Sequence, residues 1–244
     1  MSDQLIDLNV FSNVASPDPA HNLAHHAIRS AFETFGPHLR PRLFVDPNPN
    51  PEGFDAWIAR TREALSRLGL PAPEVARTCG LSDGFRQAIE SARSSHAIML
   101  EHDFVFIRRR IRHGLPELTA GMEAARITHL RFNKRWNRPV GYDYFMRELT
   151  DAPFPCCRVS GRSNNPQIIE IDFYRRRVLP VLDPAARKAA GLEGNICDFV
   201  GGGHVYGPLG HLATVAHLDG RRRRLKDGLA RGLHLLRARA AGGV

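Results

Sequence analysis

Residues 96–106 read HAIMLEHDFVF. Ala97 to Leu100 is a short apolar run of the kind that forms a buried strand, and it stops abruptly at Glu101-His102-Asp103. In an open α/β sheet, ligands bind in the crevice outside the carboxyl ends of the strands. Two carboxylates at such an end are therefore in a useful place, provided that the strand belongs to a sheet of that kind.

The sequence on either side predicts one. Leu5 to Phe11 (LIDLNVF) puts Ile6, Leu8 and Val10 on one face, as in a strand. SPDP follows, with Asp18 placed to cap a helix and Pro19 at its first position. Leu23, Ala27, Ile28, Ala31, Phe32 and Phe35 then recur at helical spacing up to Gly36-Pro37. Arg42 to Asp46 (RLFVD) reads as a buried strand running into the proline-rich loop PNPNPEG. Phe54, Trp57, Ile58, Thr61, Leu65 and Leu68 mark a second amphipathic helix. Glu74 to Cys79 is a third strand, and Ser82 to Ser94 a helix with Phe85, Ala88, Ile89 and Ala92 on one side. The strand ending at Glu101 is thus the fourth in a β-α-β-α-β-α-β run, which predicts a mainly parallel sheet covered by helices. Beyond it we expect a basic helix up to Gly114, a helix over Pro116 to Ala125 and a strand over Ile127 to Phe132. The second half is less regular. RSNNPQIIEIDFYRRRVLP begins as loop or strand and turns helical near Phe173. GLEGNICDFV reads as a loop entering a short helix, GGGHVYGPLG as a connection, and ATVAHLDG as a final strand. One domain over residues 1–220 is expected, with a basic tail over 221–244.

Composition narrows the function. The 244 residues are 43% hydrophobic and 24% charged, as in an ordered globular core. No apolar run approaches the ~18 residues of a membrane span, and the N-terminus lacks a signal-peptide pattern, so a cytoplasmic setting is expected. Cys79, Cys156, Cys157 and Cys197 lack the spacing of a zinc site or a disulfide framework and read as reduced thiols. The net charge of +9 invites a nucleic-acid reading, but eight basic residues and one acidic residue lie in Arg221–Val244. The rest has 26 basic and 24 acidic residues. A nearly neutral body argues against nucleic acid as a partner.

Carboxylates suit Mg2+ or Mn2+. An ion held by Asp103 would neutralise a diphosphate and stabilise it as a leaving group. Glu101 would then meet metal-bound water, ribose or donor sugar, and His102, between the two acids, would point the other way. The bland alternative is two solvated acids in a turn.

The stretch Arg77 to Phe106 resembles the nucleotide-sugar half of GT-A glycosyltransferases, especially the large inverting family. Its RTCG, DGFRQAIESA, HAIML and EHDF segments follow the order of that family's Arg-Asn-x-Gly-like segment, helix with small residues, apolar strand and D-x-D motif. Glu101 replaces the first Asp and Thr78 the usual Asn. The likeness covers Leu5 to Phe132 well and the remainder loosely. It implies an α/β, Rossmann-like GT-A fold with a nucleotide-sugar-binding half (1–132) and an irregular acceptor-binding half (133–220). It implies donor contacts from Val14 and Ala15 in the turn after the first strand, from Asp46 to base or ribose, and from Arg77, Asp83, Glu101, His102 and Asp103. It further implies Mn2+ or Mg2+ held by Asp103 and, from the far end of the chain, by His217, with His204 and His211 as weaker alternatives. The general base that deprotonates the acceptor hydroxyl falls on Glu193, with Asp198 and Asp172 as alternates. Asn164 and Asn165 would bind acceptor hydroxyls, although Asn-Pro is also an ordinary turn former. His217 as a plain histidine before a turn and Glu193 as a helix N-terminal charge are the unremarkable readings. His25-His26 receives no metal role.

The tail RRRRLKDGLARGLHLLRARA carries Leu225, Leu229, Leu233 and Leu236 at helical spacing among arginines. This pattern suits either an anionic membrane surface or an ordinary docked helix. The combined expectation is a metal-dependent, inverting glycosyltransferase. It would move a sugar from a nucleoside-diphosphate sugar to a glycan or lipid-linked glycan, in bacterial surface polysaccharide or lipopolysaccharide synthesis. Its site would be cytoplasmic, with the tail on the inner face of the membrane. A sugar nucleotidyltransferase is the first alternative, disfavoured because FSNVASPDP stands where that class carries a glycine-rich basic loop. A non-enzymatic basic protein is the second.

Overall fold

The computed structural model of the chain describes residues 5–141, 143–160, 163–183 and 203–218. Its frame is built from β1 (Ile6–Val14), α1 (Ala24–Phe35), β2 (Leu39–Pro49), α2 (Phe54–Arg67), β3 (Glu74–Arg77), α3 (Leu81–Glu90) and β4 (His96–Glu101). After β4 come β5 (Phe104–Phe106), α4 (Leu115–Ala124), β6 (His129–Arg131), β7 (Met146–Glu148), β8 (Cys156–Val159), β9 (Gln167–Glu170), α5 (Ile171–Arg177), β10 (His204–Tyr206) and β11 (Val215–His217).

Nine strands form one sheet in the order β3-β2-β1-β4-β9-β6-β10-β8-β7. Strands β3, β2, β1 and β4 are parallel neighbours, as are β6 and β10. Only β9 and β8 run against the rest among the described residues. The fold is therefore mixed α/β with a mainly parallel sheet, as the β-α run predicts.

Period-two alternation sends neighbouring side chains to opposite faces. In β4, Ile98 and Leu100 join Leu8, Val10, Ile28, Leu65 and Leu118 in the core under α1, α2 and α4. Ala97 and Met99 join Phe11, Phe85, Ile89 and Tyr174 under α3 and α5. Both faces of the central strands are thus covered, and polar groups on them must be paired. Asp7, fully buried on β1, accepts hydrogen bonds from Arg40 Nε (2.7 Å), from the Arg93 backbone N–H (2.8 Å) and from Ser94 Oγ (3.3 Å).

Several local expectations are corrected. The basic run after β5 makes only a 3-10 turn, Arg108–Arg110, and Ile111 is already extended. Only Ile107 and Ile111 flank the three arginines, too narrow an apolar face to stabilise a longer helix. Asp18 caps a 3-10 turn, Pro19–His21, by accepting from the Ala20 N–H (2.9 Å), and α1 starts later, at Ala24. GGGHVYGPLG contains β10, and strands β7 and β8 lie where the sequence shows no strand pattern. The segment GLEGNICDFV and the tail 221–244 fall outside the described residues. Among those described, no helix is long and apolar enough to cross a membrane.

Candidate nucleotide-sugar site

From β1 the chain moves outward to β2 and β3, then returns to place β4 on the other side of β1. That reversal is the switch point at which α/β sheets open a crevice. A cavity of about 180 Å³ lies there. Phe11, Ser12 and Asn13 contribute from the end of β1, Phe44 and Asp46 from β2, and Glu101 and His102 from the end of β4. Thr78, Gly80 and Leu81 close it from the β3–α3 connection. The backbone ties these ends together: the His102 N–H donates to Phe11 O (2.9 Å) and the Thr78 N–H to Val45 O (3.0 Å).

The connection into α3 depends on Gly80, whose φ of 116° and ψ of 178° belong to a region that side chains avoid. Asp83 sits in the first turn of α3. Its oxygens accept from the Cys79 N–H (2.9 Å), Arg86 Nη2 (2.7 Å) and Gln87 Nε2 (2.9 Å). Burial works to raise its pKa, but these hydrogen bonds prevail and hold it below the usual carboxylate range. Asp83 thus anchors its own helix at the rim. The Arg77 guanidinium lies 4.4 Å from the centre of the Phe54 ring. Val14 is fully buried in the core and Ala15 is exposed, so the β1 residues that reach the cavity are those just before them. Asp46 accepts from the Asn48 N–H (3.0 Å) and its side-chain amide (2.9 Å) while lining the cavity.

Glu101 is oriented from the other half of the chain: Asn164 Nδ2 donates to its Oε1 at 3.0 Å. Asn165 turns inward instead. It is buried, with Nδ2 3.4 Å from Asn133 Oδ1. His102, expected to point away, lines the cavity beside Glu101. Burial holds its imidazole below the ordinary histidine pKa, against the opposing pull of Asp103.

Asp103 starts a two-stranded ribbon in which β5 pairs antiparallel with β11, Phe104 opposite His217. The Leu218 N–H donates to Asp103 O (2.6 Å), and His217 Nε2 lies 3.3 Å from Asp103 Oδ2. Asp103 Oδ1 is buried and has no hydrogen-bond partner. An unpaired buried carboxylate oxygen is costly, and a divalent cation would satisfy it. Among the described residues no group of three or more His, Cys, Asp or Glu side chains is gathered around one point. A carboxylate and an imidazole nonetheless fit Mg2+ or Mn2+, because such ions complete their shells with substrate phosphates and water. The alternative histidines lie elsewhere: His211 Nε2 pairs with Arg110 O (2.9 Å), and His204 sits on β10 between β6 and β8, away from the cavity lining. Asp172 lies 3.6 Å from Arg175 on α5 and does not line the cavity. Glu193 and Asp198 lie outside the described residues. Ser12, Asn13, Phe44, Gly80 and Leu81 carry no sequence signal of their own; Ser12 and Asn13 lie near the end of β1, Phe44 lies within β2, and Gly80 and Leu81 follow β3.

No family model and no curated protein matches this sequence. Solved structures do match it in shape. S. aureus TarS 1–349 aligns with a TM-score of 0.55 at 11% identity over 88% of this chain and 61% of that one. The same protein in complex with UDP-GlcNAc aligns at 0.51 and 10% identity, over 86% and 58%. UDP-glucose pyrophosphorylase complexed with UDP-glucose aligns at 0.50 and 11%, over 84% and 92%. The chain therefore spans about three-fifths of the TarS structure. At such identities the likeness is one of architecture, and the architecture is GT-A-like.

Proposed function

We propose that this chain is a nucleotide-sugar-utilising enzyme and, within that class, a metal-dependent glycosyltransferase. The observation that carries this reading is the meeting of Asp103 with His217 beside a cavity at the sheet's switch point, with Asp103 Oδ1 buried and unpaired. The likeness to structures solved with UDP-GlcNAc and UDP-glucose supports the class of ligand.

In this reading Asp103 and His217 would hold Mn2+ or Mg2+, which would supply Lewis-acid stabilisation of a diphosphate leaving group. Phe11 and Phe44 give the cavity an apolar wall for the base, and Asp46 accepts a hydrogen bond from base or ribose. Glu101, held by Asn164, accepts from a hydroxyl of the donor sugar. Glu193 takes the proton from the acceptor hydroxyl as that oxygen attacks the anomeric carbon with inversion. Residues 1–220 form one domain, with the acceptor, a glycan or lipid-linked glycan of a bacterial surface polymer, held by its second half.

A second reading, nucleotidyl transfer, is favoured by the match over 92% of the pyrophosphorylase. Products separate the two. Incubation with a panel of nucleotide sugars, acceptor extract and Mn2+ should release nucleoside diphosphate. Release of nucleoside triphosphate from nucleotide sugar and pyrophosphate would establish the second reading and overturn the first. Glu193→Gln should abolish transfer while retaining donor binding, and unchanged turnover would reject Glu193 as base.

A further inference from the structure

Three chain segments are stitched into one platform at the Phe106/Val215 end of the β5–β11 ribbon. The Ile107 N–H donates to Thr214 O (2.8 Å), Arg110 Nη1 to Ala213 O (2.7 Å) and the Arg112 N–H to Tyr206 Oη (3.0 Å). From the third segment, the Asn133 N–H donates to Thr214 Oγ1 (2.9 Å) and the Asn137 N–H to His211 O (2.9 Å). The Gly210 N–H returns a bond to Asn137 O (2.7 Å). Asn137 is buried, and its side-chain amide donates to the carbonyls of Tyr206 and Gly207. The platform's backbone polar groups are thus well paired.

Its outward side chains are unusual for a soluble surface. Trp136 is 58% exposed, Leu209 45% and Leu212 44%. Hydrogen bonds at Asn137, Gly210 and His211 place the three backbones side by side. Next to them Arg108, Arg109 and Arg112 are exposed and make no ion pair with any described residue. These arginines and His113 line an open depression of about 740 Å³. The nearby acid Glu148 is committed, accepting from the Leu209 N–H (2.6 Å).

We propose that this platform docks on an anionic membrane, with Trp136, Leu209 and Leu212 entering the interface and Arg108, Arg109 and Arg112 on lipid phosphates. Tryptophan is favoured at the level of lipid headgroups, where its ring is apolar and its N–H wet. Unpaired arginines gain from the negative surface potential. Separate apolar tips on loops, rather than a continuous groove, suit insertion between headgroups better than a protein partner. The ribbon that carries Asp103 and His217 runs directly into this platform, so docking would set the candidate site against the membrane. The inference rests on these surface groups and not on the nucleotide-sugar reading.

The protein carries its own probe. It has two tryptophans, and Trp57 is buried (3% exposed), so a change in emission on lipid binding reports Trp136. The full-length chain is titrated with vesicles of phosphatidylcholine alone and with 30% phosphatidylglycerol. The expected result is a blue shift with the anionic vesicles only, absent from Trp136→Phe, with binding weakened as salt is raised. The triple variant Arg108→Glu, Arg109→Glu, Arg112→Glu should bind at least tenfold more weakly, as should Leu209→Ser with Leu212→Ser. Unaltered thermal unfolding shows that these variants are folded. A full-length protein whose Trp136 emission is unmoved by anionic vesicles would overturn the proposal. So would folded variants that bind as tightly as the parent, which would leave the basic tail as the membrane contact.

Discussion

Asn164 Nδ2 reaches across 63 positions of sequence to donate to Glu101 Oε1 at 3.0 Å. The second half of the chain thereby sets the orientation of a carboxylate that the first half delivers to the cavity. Removing the amide by Asn164→Ala leaves Glu101 in place without this support. A hydrogen bond to a charged group contributes about 1.5–3 kcal/mol, so donor affinity should fall roughly tenfold or more. Calorimetric titration of the nucleotide sugar in Mn2+ measures it, and an unchanged affinity would show that Glu101 does not act through Asn164.

Gly80 bounds the cavity with a backbone conformation that only glycine adopts readily. A side chain there costs on the order of 1–3 kcal/mol and displaces the start of α3. Gly80→Ala should lower the urea midpoint and weaken nucleotide binding together. Full affinity in a protein of normal stability would show that the connection adapts.

Arg131, at the end of β6, and Asp143 form an ion pair, with Arg131 Nη2 2.7 and 2.8 Å from the two carboxylate oxygens and both residues almost fully buried. Removing one partner of a buried ion pair costs about 3–5 kcal/mol. Asp143→Ala should lower unfolding free energy by that order. A loss below about 1 kcal/mol would mean that water replaces the carboxylate.

His129 is buried against Tyr174, its Nδ1 2.6 Å from the phenol oxygen. Burial, with Arg131 and His204 adding repulsion, lowers its pKa from 6.5 to about 3. Below pH 6.5 the unfolded chain takes up a proton that the folded chain refuses. This group's contribution is therefore complete above pH 6.5 and is lost as the pH falls toward 3, at about 1.4 kcal/mol per pH unit. Replacement by His129→Asn should flatten the dependence of stability on pH between about 6 and 4. An equal slope in both proteins would show that His129 does not supply it.

Much of the first half was legible because its elements are long and periodic. The pattern of Leu23 to Phe35 and the run ending at Glu101 fixed a β-α order, and that order dictates a switch point. Residues such as Ser12 and Asn13 were not legible, since polar residues after a strand look alike whether or not a cavity forms there. The turn of His102 into the cavity follows from its backbone bond to Phe11, which pattern does not reveal. Strands β7, β8 and β10 span three or four residues each, too few to leave a local period to read. The pairing of Asp103 with His217 came from a family resemblance, because no local signal links positions so far apart.

The central claim is that Asp103 and His217 bind a divalent cation together with a nucleoside diphosphate. Its most direct measurement is thermal unfolding of the full chain with UDP, GDP or dTDP, each with and without Mn2+, beside the same series for Asp103→Asn. A ligand that binds only the folded state raises stability by mass action, about 2.7 kcal/mol at a hundredfold excess over Kd. One nucleotide should raise the melting temperature of the parent only when Mn2+ is present, and Asp103→Asn should erase that gain. No Mn2+-dependent shift with any nucleotide, or the same shift in the variant, would contradict the claim.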